Sequence, residues 1–311
     1  MFSSVISNRS GRFYELDVLR GFSVVLMILY HFFYDLDYFG IFPLPTWFWP
    51  QQFHGFPITD LFVLIAGISL TLSVAHSASS SASSSASSSA SVSASSSASS
   101  SASVSASASA SASNFVSHTV SNSAFNSKKI MRKLVRRGLK IFSVGLLITV
   151  VTWIYPHDGF VVFGILHMIG ISTILSIPFL IYLRQSESRF KLIVPLFFGI
   201  VALLLGQVVQ KIHGPIWLAP LGIHPYDFYS LDYEPLFPWF GAILIGIAIG
   251  VWAYPQGKRR FSVPKKMPRI LIPLSVAGQN SLLIYLIHQP LILFILYLVG
   301  SVDLWVLIGL F

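Results

Sequence analysis

Imidazole and carboxylate, the two side chains most used in acid–base work, stand one helical turn apart at His31 and Asp35. An i, i+4 pair shares one face of a helix, and a carboxylate beside an imidazole fixes its tautomer and raises its basicity, as a general base near neutral pH requires. The same spacing also suits a His and an Asp that simply meet water at a helix end. Asp60 is the second acidic candidate: it opens an apolar segment in Ile58-Thr59-Asp60-Leu61, where a carboxylate serves as helix cap or as catalyst. His54 lies six residues earlier among Trp47, Phe48, Trp49, Phe53 and Phe56, a set that also fits an interfacial aromatic belt. His167, His288 and Asn280 fall within apolar stretches, where polar groups call for partners. Among the cations, Arg20 pairs at i, i+3 with Asp17, and Arg136, Arg137 and Lys140 precede another apolar stretch. Such cations anchor topology by default, while Arg also matches phosphate geometry.

Other chemistries find little support. The histidines are scattered and HExxH is absent, so no metal is expected. With no cysteine there is no disulfide and no thiolate. Walker A, dinucleotide-binding and GxSxG patterns are missing too.

The elements that position these residues follow from hydropathy. Of 311 residues 54% are hydrophobic and only 10% charged, with mean hydropathy +0.73, which a water-soluble surface does not allow. A bilayer core of roughly 30 Å takes about 20 apolar residues per helix. That ruler finds seven spans: Asp17–Phe33, Pro57–Val74, Leu139–Ile154, Phe160–Leu183, Phe190–Val209, Leu236–Tyr254 and Leu271–Val299, the last open to division at Asn280 and at Gln289-Pro290. The fold class is an all-α, polytopic membrane bundle. With the N-terminus inside, 19 of the 20 Lys and Arg fall on the inner side, where the net charge is +16 against −7 outside. That sorting places the C-terminus outside, and the basic residues flank spans instead of forming a nucleic-acid face. Met1–Tyr14 lacks the short apolar core of a signal peptide. Residues 77–127, with Ser77–Ser113 built only from Ser, Ala and Val, are expected to be a disordered or weakly helical cytosolic insertion between residues 1–76 and 128–311 of one catalytic domain.

Several motifs, in order, resemble a known family. Glu15-Leu16-Asp17-Val18-Leu19-Arg20-Gly21 followed by His31 is similar to the opening of the heparan-α-glucosaminide N-acetyltransferase catalytic-domain family. So are Thr59-Asp60-Leu61, Arg136-Arg137-Gly138-Leu139-Lys140, Phe163-Gly164-Ile165-Leu166-His167, Phe237-Pro238-Trp239-Phe240-Gly241 and Ser281-Leu282-Leu283-Ile284-Tyr285-Leu286-Ile287-His288. The resemblance implies a membrane acyltransferase that takes acetyl-CoA or another acyl-CoA from the cytosol and modifies a hydroxyl or amine of a carbohydrate or other small acceptor outside. It implies that Arg20 serves the CoA side, that His31 is a base or acyl relay, and that Asp60, His167 and His288 share its cavity; together with the readings from the residues themselves, Arg136, Arg137 and Lys140 join the CoA side, Asp35, His54 and Asp60 stand with His31 as catalytic candidates, and Asn280 joins the substrate cavity. In the animal members the position matching His31 is Asn and the essential His lies in the following outer loop, so His31 and His54 both stand. The expected setting is the cell membrane, with lipid and a second copy of the chain as compatible partners. The competing expectation is a proton-coupled transporter, for which scattered intramembrane His and Asp also serve.

Overall fold

The computed structural model describes residues 13–43, 58–95, 108–155, 157–186, 189–264, 266–300 and 302. Nine α-helices run through them: α1 Tyr14–Tyr38, α2 Ile58–Ser95, α3 Ala108–Ile154, α4 Ile165–Leu175, α5 Ile177–Gln185, α6 Ile193–Val209, α7 Leu236–Ala253, α8 Ile272–Gln279 and α9 Ser281–Leu298. The only β pairings among the described residues are two isolated bridges, Phe163 with Tyr233 and His213 with His224. Tyr14–Tyr38, Thr59–Ser77, Ile165–Gln185, Leu236–Ala253 and Ser281–Leu298 are each long and apolar enough to cross a bilayer, and α6 is a shorter apolar helix. The remaining expected span, Leu139–Ile154, is the C-terminal part of α3. The chain is therefore a helical membrane bundle.

Local chemistry accounts for the differences in detail. The last expected span divides at Asn280, whose φ of −107° and ψ of 19° separate α8 from α9, while the helix continues through Gln289-Pro290. The fourth begins at Ile165, five residues later than expected, because Phe160–Phe163 pair instead with Ser230–Glu234: Leu231 donates its N–H to Gly159 O at 2.7 Å and Glu234 to Phe163 O at 2.9 Å. Within the expected insertion, residues 77–95 continue α2 and 108–127 begin α3.

Helices meet through glycine. A Cβ on Gly21 of α1 would lie 1.8 Å from the Leu274 carbonyl oxygen of α8, and one on Gly278 of α8 would lie 1.8 Å from the Asp17 carbonyl oxygen. Gly67 with Gly246 joins α2 to α7, Gly138 with Gly170 joins α3 to α4, and Gly199 with Gly241 joins α6 to α7 in the same way. Lipid tails are as apolar as leucine, so helices in a bilayer gain by close backbone packing, which small residues permit. The interior between α2, α3, α4, α5 and α7 is filled by Val63, Leu70, Leu134, Met168, Leu180, Ile243 and Ile247. Outward faces carry exposed Leu147, Phe197, Leu204, Leu283 and Phe294, as a lipid-facing surface requires. At one end Arg259 clasps Glu15 through two hydrogen bonds, of 2.6 and 2.8 Å, tying the start of α1 to the segment after α7.

Candidate active site

The cations of α3 fall at Lys129, Arg132, Lys133, Arg136, Arg137 and Lys140. Steps of three and one put all six on one face of the helix, while Ile130, Leu134 and Gly138 are buried on another. All six line a single cavity of about 930 Å³, which Arg20 of α1 also lines. Arg20 is held there by Asp17 at 3.2 Å and by Ser69 Oγ at 2.7 Å. The remaining wall is mostly apolar, with Val24 and Met27 from α1, Phe62 and Ala66 from α2, Ile165 and Ile169 from α4, and Leu282 from α9. Lys133 reaches Ser77 at 3.3 Å, whereas Thr59 also lines the cavity from 18 residues earlier on α2. At 1.5 Å per residue that is roughly 27 Å of helix, so one end of the cavity is cationic and the other lies toward the opposite face of the bundle.

The far end is backed by two carboxylates from the segment before α7. Tyr285 lines the cavity and donates its hydroxyl hydrogen to Asp232 Oδ2 at 2.9 Å, and the same oxygen accepts the Ile165 N–H at 3.2 Å. Asp232 thus meets the N-terminus of α4, where the helix dipole favours an anion. Thr59 Oγ1 donates to Glu234 Oε1 at 3.2 Å. Burial pushes both carboxyls above their ordinary range; for Asp232 the bonds from Tyr285 and Ile165 oppose it in part, and for Glu234 the neighbouring Asp232 charge adds to it.

One helical turn beyond Met27 and Tyr285, and outside the cavity lining, stand His31 and His288, with ring centroids 4.7 Å apart and planes at 80°. Asp35 is buried nearby, but it does not orient His31. The His31 ring donates from Nδ1 to the Met27 carbonyl at 2.9 Å, and both Asp35 oxygens accept the Gln289 amide, at 3.0 and 2.9 Å. The expected His–Asp pair shares a helix face, yet α9 brings a better donor to the carboxylate.

Of the remaining expected residues, Arg20, Arg136, Arg137 and Lys140 come together in the cavity. Asp60 is half-buried beside Thr59, and its charge acts on Glu234. His54 lies outside the described residues. His167 is 2% exposed and absent from the cavity lining. Its Nδ1 accepts the Gly164 N–H at 3.2 Å, its Nε2 meets Thr149 Oγ1 at 3.3 Å, and Thr149 passes its own hydrogen to Val161 O at 2.7 Å. Both nitrogens are engaged, so His167 holds the start of α4, and it does not line this cavity. Asn280 is exposed, bonds Val276 O at 2.8 Å and ends α8, also away from the lining. Sequence reasoning passed over Lys129, Arg132 and Lys133, which their spacing signals, and the roles of Asp232 and Glu234, which nothing local signals. Among the described residues no group of three or more His, Asp and Glu is placed to hold a metal ion.

Fold and site together define a helical membrane protein with a cavity cationic at one end and approached by imidazoles and carboxylates at the other. The chain matches the family described as heparan-alpha-glucosaminide N-acetyltransferase, catalytic, over residues 12–290, and it belongs to that family of acetyltransferase-type catalytic domains. No curated protein and no solved structure matches it.

Proposed function

We propose that the protein transfers an acetyl or other acyl group from acyl-CoA, bound from the cytosol, to a hydroxyl or amine of a carbohydrate or other small acceptor at the outer face of the cell membrane. The observation that carries this is the cavity with seven cations at one end. The phosphates of CoA supply the matching negative charge, and Arg and Lys are the side chains that bind them. The mostly apolar wall beyond suits the pantetheine arm, which carries the thioester toward Thr59, Tyr285 and the histidines.

His31 is the base. Its Nδ1 hydrogen is committed to Met27, so Nε2 offers the lone pair. The acceptor oxygen or nitrogen attacks the thioester carbonyl as His31 takes its proton; the carbon–sulfur bond breaks, the new ester or amide forms, and CoA thiolate leaves to be protonated.

Purified protein in nanodiscs, given radiolabelled acetyl-CoA and a panel of sugars, is expected to form acetylated product and release CoA, and His31→Ala is expected to abolish both. Activity that survives His31→Ala and His54→Ala would refute the site. The half-buried Asp232 and Glu234 also suit a proton-coupled transporter; substrate-driven pH change in liposomes without CoA release would establish that reading instead.

A further inference from the structure

His31 and His288 are fixed in the same tautomer. His31 is tied through Nδ1 to the Met27 carbonyl at 2.9 Å, and His288 through Nδ1 to the Tyr285 carbonyl at 2.5 Å. A carbonyl oxygen only accepts, so each ring keeps its hydrogen on Nδ1 and presents a bare lone pair at Nε2. The two rings touch, with 4.7 Å between centroids, yet neither has an N–H to offer the other. His288 is 7% exposed, and its Nε2 is buried without a hydrogen-bond partner among the described residues. The adjacent Gln289 Oε1 is in the same condition, and the Asp35 carboxylate beside it already accepts the Gln289 amide. Buried acceptors almost always find a donor, so two orphaned ones next to a candidate base mark where a donor-bearing ligand sits. Met27 and Tyr285, whose carbonyls root the two rings, both line the cavity, and the rings stand one helical turn beyond that lining.

We propose that His288 is a second acceptor-binding residue: its Nε2 takes a hydrogen bond from a neighbouring O–H or N–H of the acceptor while His31 takes the proton of the reacting group. The acceptor therefore carries a second donor close to its reacting group. This rests on the transfer reaction proposed above, and no bond beyond those of that reaction forms or breaks at His288.

The test uses the full chain in nanodiscs, acetyl-CoA, and methyl hexosides with their monodeoxy analogues as probes, read by CoA release and by acceptor-induced thermal shift. For wild type, deleting the hydroxyl next to the acylated position lowers kcat/KM about tenfold, as expected for one lost hydrogen bond, mainly through KM. His288→Phe keeps a ring against His31 but has no lone pair, and there the deoxy penalty falls below about twofold. His288→Gln restores an acceptor and with it part of the penalty, which separates lost recognition from lost folding. An equal deoxy penalty in wild type and His288→Phe, or none in wild type, overturns the role of His288. A wild type that is stabilised by the full hexosides through His288 but releases no CoA supports that role and overturns the transfer reaction.

Discussion

Replacing Arg132 and Arg136 together by glutamine removes two of the six cations that α3 presents to the cavity and leaves the helix otherwise intact, since Gln and Arg are similar helix formers. Stripe residues three or four apart rise about 5 Å along the axis, so a phosphate lying on this face has a cation within about 6 Å. At that distance two unit charges interact by about 0.7 kcal/mol in bulk water and about 2.8 kcal/mol at an effective dielectric of 20. The side chains of Arg132 and Arg136 are exposed, which sets the value near the lower figure, about 1 kcal/mol for each cation removed. The double variant should therefore bind CoA about 30-fold more weakly. Titration calorimetry with CoA, and with pantetheine as the uncharged control, measures it. Wild-type affinity should also fall more steeply with added salt than that of the variant. Equal affinity of both proteins for CoA, or an equal loss for CoA and pantetheine, would refute the electrostatic account of the cavity.

Three further outcomes follow from the packing and the buried acids. Gly21→Val forces a Cβ to within 1.8 Å of the Leu274 carbonyl oxygen, and it should cost at least about 1–3 kcal/mol in thermal or denaturant unfolding in detergent. Gln289→Leu strips the 3%-exposed Asp35 carboxylate of both its N–H contacts and should cost at least about 1–3 kcal/mol, most of it recovered by adding Asp35→Leu. Glu234 is raised well above the ordinary carboxylate range by burial, so the folded state binds its proton more tightly than the unfolded chain does. That contribution is fully present below the unfolded carboxyl range and is lost as pH rises through the folded value. Glu234→Gln, which keeps the acceptor for Thr59, should therefore stabilise the protein at pH 8 and lose this advantage toward pH 4; a melting-temperature difference that does not change with pH would contradict it.

The membrane class was legible in the sequence because a hydrophobic span has a fixed minimum length, and each expected span has a helix beneath it. The cationic stripe was legible as well, although only Arg136, Arg137 and Lys140 were singled out; the intervals from Lys129 to Lys140 place the other three on the same face. Pairing within the site was harder to see. His31 and Asp35 do share a face, but spacing along α1 cannot show that Gln289, 254 residues away, competes for the carboxylate. Asp232 reaches Ile165 across 67 residues and Tyr285 across 53, so only the folded chain shows that the acids of the segment before α7 back the cavity. His167 stood in an apolar stretch with no polar neighbour in sequence to explain it. Its position three residues after Gly164 was the available hint, since that is where a side chain can reach back to the start of a helix.

The glycine contacts determine how the cavity can change size. Three of its walls are doubled, α1 backed by α8, α2 by α7, and α3 by α4, and in each the two backbones touch with no side chain between them to compress or rotate. A wall helix cannot tilt alone without separating a glycine contact. Any widening of the cavity therefore calls for whole panels to part along the seams where glycine is absent, and α9, which carries Tyr285 and His288 with no such glycine partner among the described residues, is the stave least bound to its neighbours.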